Sequence, residues 1–217
     1  DDHTNIQKCV DNCPNKTIFF PDGIYLVSAG IVTSSDNDKS VNLKLSNNAV
    51  IKASSLFDTD TAVINLGGKN YSNYYLYNEF GNFGIEGGTI DCNEIADGIT
   101  IEHCVNGYIR NIYVNKTPSK GVSLINGYNN GSLDCTVENV RVKCSNNNSA
   151  IGVYINSSDN WIENVKTYSG KYGFYFDSSA GGNHATETHC LATSNDYTTL
   201  SVAQDMVAYY FKSGGGN

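Results

Sequence analysis

This chain is poor in charge. Only 17% of its 217 residues are Asp, Glu, Lys or Arg. Basic residues are scarcer still, 14 against 22 acidic ones, for a net charge of −8 and a pI near 4.8. That balance leaves no electrostatic footprint for nucleic acid or an anionic membrane. No apolar run approaches the length of a membrane span, so no membrane insertion is expected. No Cys-x-x-Cys pair occurs, which removes the usual zinc ligands, and no metal site is assigned. The seven Cys are odd in number and do not read as a disulfide framework. They read as buried free thiols acting as small apolar residues, suited to assembly in a reducing cytoplasm. Also missing is any 3.6-residue apolar stripe between the strand-like segments, which argues against leucine-rich and ankyrin repeats.

What is present is asparagine, the commonest residue, together with 15 Tyr in an aromatic fraction of 11%. This is the profile of a rigid β protein with polar turns, not of a disordered chain. A short phrase returns along it, as Ile109-Arg-Asn-Ile-Tyr-Val114, Val137-Glu-Asn-Val-Arg-Val142 and Ile162-Glu-Asn-Val-Lys-Thr167. A degenerate copy, Ile85-Glu-Gly-Gly-Thr-Ile90, precedes them at a similar spacing. A second phrase keeps step: Gly98-Ile-Thr-Ile101, Gly121-Val-Ser-Leu124, Gly152-Val-Tyr-Ile155 and Gly173-Phe-Tyr-Phe176. Self-similarity at a period in the twenties marks a solenoid. Two or three short strands per unit predict an all-β fold, a parallel β-helix. Its inward positions should be Ile99, Ile101, Val122, Leu124, Val153, Ile155, Phe174 and Phe176.

Asn111, Asn139 and Asn164 suit a tight bend, because Asn tolerates left-handed backbone and can bond its counterpart one rung away. One further step of the repeat carries Asn164 to His189, which is expected in the next Asn position, as a structural residue. At the N-terminus, Asp2 is expected to cap a short helix with Ile6, Cys9, Val10 and Cys13 on one face. That helix should cover the open end of the first rung and hide its unpaired edges. Ile18–Phe20 reads as a strand and Pro21-Asp-Gly23 as the turn after it.

Three stretches carry a family resemblance: Asp1-Asp2-His-Thr-Asn-Ile-Gln7, Ile18-Phe-Phe-Pro-Asp-Gly-Ile-Tyr-Leu26 and Ile85-Glu-Gly-Gly-Thr-Ile-Asp91. In that order they resemble the opening of pectate-lyase-superfamily β-helices, with a helix beginning Asp-Asp, a Phe-Pro-x-Gly-x-Tyr turn and a Gly-Gly-Thr-Ile-Asp rung. The resemblance runs over nearly the whole chain and implies a single-stranded right-handed parallel β-helix. The family includes pectate and other polysaccharide lyases, polygalacturonases, and many bacteriophage tail spikes and appendage proteins. It implies a bacterial cell-surface polysaccharide as partner and, for a spike, a homotrimer on the virion tail, assembled in the bacterial cytoplasm. An extracellular lyase or hydrolase, and a rigid stalk without a ligand, are the alternatives. The Gly-Asp-Gly stretch that usually precedes Asp-Asp is not in this sequence, and the chain is expected to be a fragment of something longer. One domain spans 1–217: a capping helix over 1–13, first rungs with an inserted loop over 14–82, and regular rungs over 83–217.

Two groups of residues are candidates for chemistry. The outward column of the Gly-led strand reads Thr100, Ser123, Tyr154, Tyr175 and Tyr210. Exposed Tyr on adjacent rungs suits stacking on sugar rings, and suits stacking on its neighbours for stability equally. Tyr74 and Tyr75, in Tyr71-Ser-Asn-Tyr-Tyr-Leu-Tyr77, form a second aromatic candidate in the expected loop. The second group is acidic. Glu138 and Glu163 should be neighbours, and Asp134 and Asp159 precede them by the same offset, so four carboxylates are expected in one patch. Paired carboxylates cleave glycosidic bonds, the outcome depending on their separation. The same acids also fit a Ca²⁺ site or, with Arg110, Arg141 and Lys166 nearby, a solvated charge ladder. No cofactor other than that possible Ca²⁺ is implied. The lyase and polygalacturonase motifs of the family are not recognisable beyond Asp91.

Overall fold

The structure is a computed structural model and describes residues 1–33, 40–59, 61–67, 83–125, 134–145, 149–191 and 206–212. Among these, one helix, α1 (His3–Asn12), precedes three seven-stranded sheets in which every pairing is parallel. Sheet A runs from Lys16–Phe20 through Val41–Leu45, Gly84–Glu86, Tyr108–Arg110, Thr136–Glu138 and Trp161–Glu163 to His184–Thr186. Sheet B runs from Gly23–Val27 to His189–Leu191, and sheet C from Ile31–Val32 to Val207–Phe211. The chain visits A, B and C in turn and then repeats, so each rung pairs with the next at the same three places. This is a parallel β-helix.

The core is a set of stacked columns. All eight inward residues expected of the Gly-led strand are buried, and each lies in register with its counterpart one rung on. The leading glycine has a packing cause. A Cβ on Gly121 would stand 2.1 Å from Val142 Cγ1, and one on Gly152 would stand 2.4 Å from Thr167 Cγ2. At this corner the inward side chains of sheet B reach under the start of sheet C, and only a residue without a side chain leaves room.

The Asn bend lies between sheets A and B. Asn111, Asn139 and Asn164 have φ of +53°, +53° and +48°. Asn139 Nδ2 donates to Asn111 Oδ1 at 3.2 Å, and Asn164 Nδ2 to Asn139 Oδ1 at 2.7 Å. Gly87, at φ +84°, takes the equivalent place in the earlier rung. The next place belongs to Glu187, at φ +51°, and not to His189, which pairs with Lys166. The rung from Trp161 to His184 is shorter than the one from Thr136 to Trp161, so the phrase slips by two positions.

The helix covers the first rung as expected, by different contacts. Asp2 makes no side-chain cap; its Oδ2 accepts from Leu26 N–H at 2.9 Å, while Leu26 C=O accepts from Asp2 N–H at 2.7 Å. Gln7 pairs with both backbone groups of Val32, accepting at 2.9 Å and donating at 2.8 Å. At Leu26 and Val32 the edges of sheets B and C are thus met by Asp2 and Gln7. On α1 only Val10 is buried; Ile6 is partly buried, Cys13 is half-buried and Cys9 is exposed. All seven Cys are free, and Cys92, Cys104, Cys135 and Cys144 are buried. Burial pushes the Cys144 thiol up to about 12, which keeps it protonated and unreactive.

Candidate functional site

The tyrosine column stands on the outer face of sheet C. Register pairs Thr100 with Ser123, Ser123 with Tyr154, Tyr154 with Tyr175, and Tyr175 with Tyr210. Ring centroids are 5.7 Å apart for Tyr154–Tyr175 and 4.8 Å for Tyr175–Tyr210. Tyr172, which the repeat pattern does not single out, closes the group. It meets Tyr175 edge-on at 5.2 Å and Tyr210 at 5.1 Å. Four rings therefore cover three consecutive rungs without a break.

Charged groups fix the platform. Tyr154 Oη donates to Asp177 Oδ2 at 2.8 Å, and Lys212 Nζ lies 3.0 Å from Asp177 Oδ1. Ser178 N–H donates to the same carboxylate at 2.6 Å. Burial pushes Asp177 up, but the Ser178 amide, the Tyr154 hydroxyl and the Lys212 ammonium outweigh it and hold the carboxyl at about 2. Tyr154 moves the other way: burial, and then its bond to Asp177, raise the phenol above its ordinary range. Lys120 Nζ sits 4.7 Å over the Tyr154 ring and Lys171 Nζ sits 5.4 Å over Tyr172. Both are cation–π contacts. At neutral pH the site thus holds an ionised acid of weak basicity and a phenol that keeps its proton. Such groups orient a ligand and are poorly matched to proton transfer.

The acidic candidates lie on the outer face of sheet A. Glu138 and Glu163 are register partners, as expected, about 4.8 Å apart at the backbone. Arg110, one rung below, places Nε 3.4 Å from Glu138 Oε2, with both side chains reaching solvent. Asp134 and Asp159 stand in left-handed turns at the opposite end of these strands, at φ +52° and +60°. Four residues of extended chain reach about 13 Å. Glu138 and Glu163 thus stand at the end of their strands, and Asp134 and Asp159 in the turns before them, which places the four acids as two pairs. Among the described residues, no three His, Cys, Asp or Glu side chains are grouped to hold a metal ion. Tyr74 and Tyr75 lie outside the described residues.

Between the two acidic pairs stands a feature that the repeat pattern does not reveal. Trp161 stacks on His184 of the next rung, with centroids 4.5 Å apart and planes 5° from parallel.

The chain matches no protein-family model and no curated protein sequence. Among solved structures it is similar to the A-module of the mannuronan C-5 epimerase AlgE6 of Azotobacter vinelandii, at 19% identity and a TM-score of 0.47. The similarity covers 82% of this chain, which spans 55% of that one. The β-helix is read from the three sheets themselves.

Proposed function

We propose that this β-helix is a recognition segment of a bacteriophage tail spike or appendage, and that its tyrosine column binds a bacterial surface polysaccharide. The unbroken run of Tyr154, Tyr175, Tyr210 and Tyr172 supports the reading most strongly. Packed on one another, the rings offer a continuous apolar ladder with hydroxyls along it, a combination that suits the apolar and polar sides of a pyranose. Rungs rise by about 4.8 Å, so successive sugars of an extended glycan have successive tyrosines to meet. Free cysteines and the family resemblance favour a spike assembled in a bacterial cytoplasm, as a trimer, over a secreted enzyme.

The test is a binding panel of bacterial capsules, teichoic acids and pectin, with reducing-end release and unsaturated-uronide absorbance read alongside. Tyr154→Ala and Tyr175→Ala should each weaken binding to the recognised glycan at least tenfold, with no product formed. Unchanged binding in both variants would sink the proposal. Turnover abolished by Glu138→Gln or Glu163→Gln, in a protein that sediments as a monomer, would replace it with a depolymerase acting from sheet A.

A further inference from the structure

We propose a second saccharide site, on the outer face of sheet A, built around Trp161 and selective for a cationic amino sugar. It is separate from the tyrosine column and does not depend on it. Trp161 is the only tryptophan in the chain, and 54% of it is exposed. A tryptophan recruited for packing alone would bury more of its indole. Its nearly parallel stack on His184 covers one face of the ring. The register neighbour on the other side is Thr136, too short to cover an indole. Among the described residues, that face is left for a ligand lying over Thr136.

The backbone beneath is rigid. Asn160 is fully buried; its Nδ2 donates to Ser157 Oγ and to Asn183 Oδ1, both at 2.9 Å, and its Oδ1 accepts from Cys135 N–H at 3.1 Å. Trp161 N–H donates to Cys135 C=O at 2.8 Å, and His184 N–H to Asn160 C=O at 2.8 Å. The residue before the indole is thus tied to the rungs on both sides, and a platform set in advance loses little entropy on binding.

Charge selects the class of sugar. Glu163 lies two residues after Trp161, about 6.6 Å along the strand, and Asp159 stands two residues before it, in the left-handed turn that leads into the strand, with its carboxylate beside Gly182. Asp134 and Glu138 repeat the arrangement one rung below. Asp134, Asp159 and Glu163 are exposed and Glu138 is half-buried. Among the described residues, the nearby cation of the same sheet, Arg110, is matched by Glu138, while Arg141 and Lys166 stand past the Asn bend on sheet B. A pyranose seated on the indole therefore has carboxylates on both flanks. An ammonium substituent meets opposite charge at either end, and a uronate meets like charge.

Trp161 makes the test direct, because all tryptophan emission comes from the site. A glucosamine oligomer in its ammonium form should shift that emission saturably. The N-acetylated oligomer, with the same ring and no charge, should bind about tenfold more weakly or worse. By calorimetry, Trp161→Ala should abolish binding, Trp161→Tyr should restore part of it, and Asp159→Asn with Glu163→Gln should lower affinity. Tyr154→Ala should leave it unchanged. Three results would overturn the site: no saturable emission change, equal affinity for the acetylated oligomer, or binding that Trp161→Ala leaves intact. The last would be general attraction of a polycation to an acidic chain. Thermal midpoints of the variants separate loss of the site from loss of the fold.

Discussion

The outer faces of sheets A and C share rung spacing and parallel register, yet they have become chemical opposites. On sheet C, four tyrosines carry Lys120, Lys171 and Lys212, with one carboxylate spent on fixing Tyr154. On sheet A, an indole and an imidazole stand between two pairs of carboxylates, and the nearby guanidinium is paired. A chain of net charge −8 has thus collected ammonium groups around one aromatic column and carboxylates around the other. In a parallel β-helix the inward columns are constrained by packing, while outward columns only have to tolerate their neighbours. Each face is then free to repeat its own chemistry from rung to rung.

The difference can be broken outright at the corner between sheets B and C, in rungs that also carry sheet A. Gly152→Val would drive side-chain atoms into Thr167 and the Gly173 carbonyl, where even a Cβ comes within 2.4 and 2.7 Å. Overpacking of this kind should cost about 3 kcal/mol, read from urea midpoints. Both faces should lose ligand binding together, since the rungs beneath them are shared.

Asp177→Asn sharpens the contrast by acting on sheet C alone. Its folded carboxyl sits at about 2 against an ordinary value of 3.8. The stability lent by that depression is complete above the ordinary value and drains away as pH falls from about 4 toward 2. The variant should lose about 1.5–3 kcal/mol at neutral pH, the worth of a hydrogen bond to a charged group. Below pH 4 its stability should fall less steeply than that of the parent protein. Urea titrations at successive pH values measure both effects, and Trp161 emission should not register the change at neutral pH.

Arg110→Ala is the mildest intervention and tests sheet A. The pair with Glu138 reaches solvent on both sides, so its loss should cost no more than about 0.5 kcal/mol by thermal denaturation. It also frees one carboxylate, so affinity for a cationic sugar should rise slightly while sheet C binding stays constant.

Much of the scaffold is legible in the sequence. The Gly-led phrase marks a corner where a Cβ is sterically excluded, and the repeated Asn marks a left-handed bend. Both are backbone constraints, so they leave the same residue type at the same offset. The outward tyrosines follow once the strand phase is known. The Trp161–His184 stack does not, because recognising it needs the last rung to be shorter than the one before it, and a fixed step leads to His189 instead. The split of four acids into two pairs is hidden by a shared offset, which places residues in the same column order without saying which end of a strand they occupy. Asp177 stands in a column of mixed residues, and its bond to Tyr154 depends on side-chain reach between rungs, which no spacing encodes.

A parallel β-helix is also a template, since a bare edge strand offers an incoming chain a row of amides and carbonyls. In the first of the described rungs Asp2 and Gln7 answer part of that row: Asp2 meets Leu26 with its carboxylate and its own N–H, and Gln7 meets Val32 with its carboxamide. The Gln7 carboxamide satisfies both groups of Val32 without presenting a new strand edge. Leu26 and Val32 are thereby already occupied, so another strand could not extend sheets B and C through these two residues without first displacing Asp2 and Gln7.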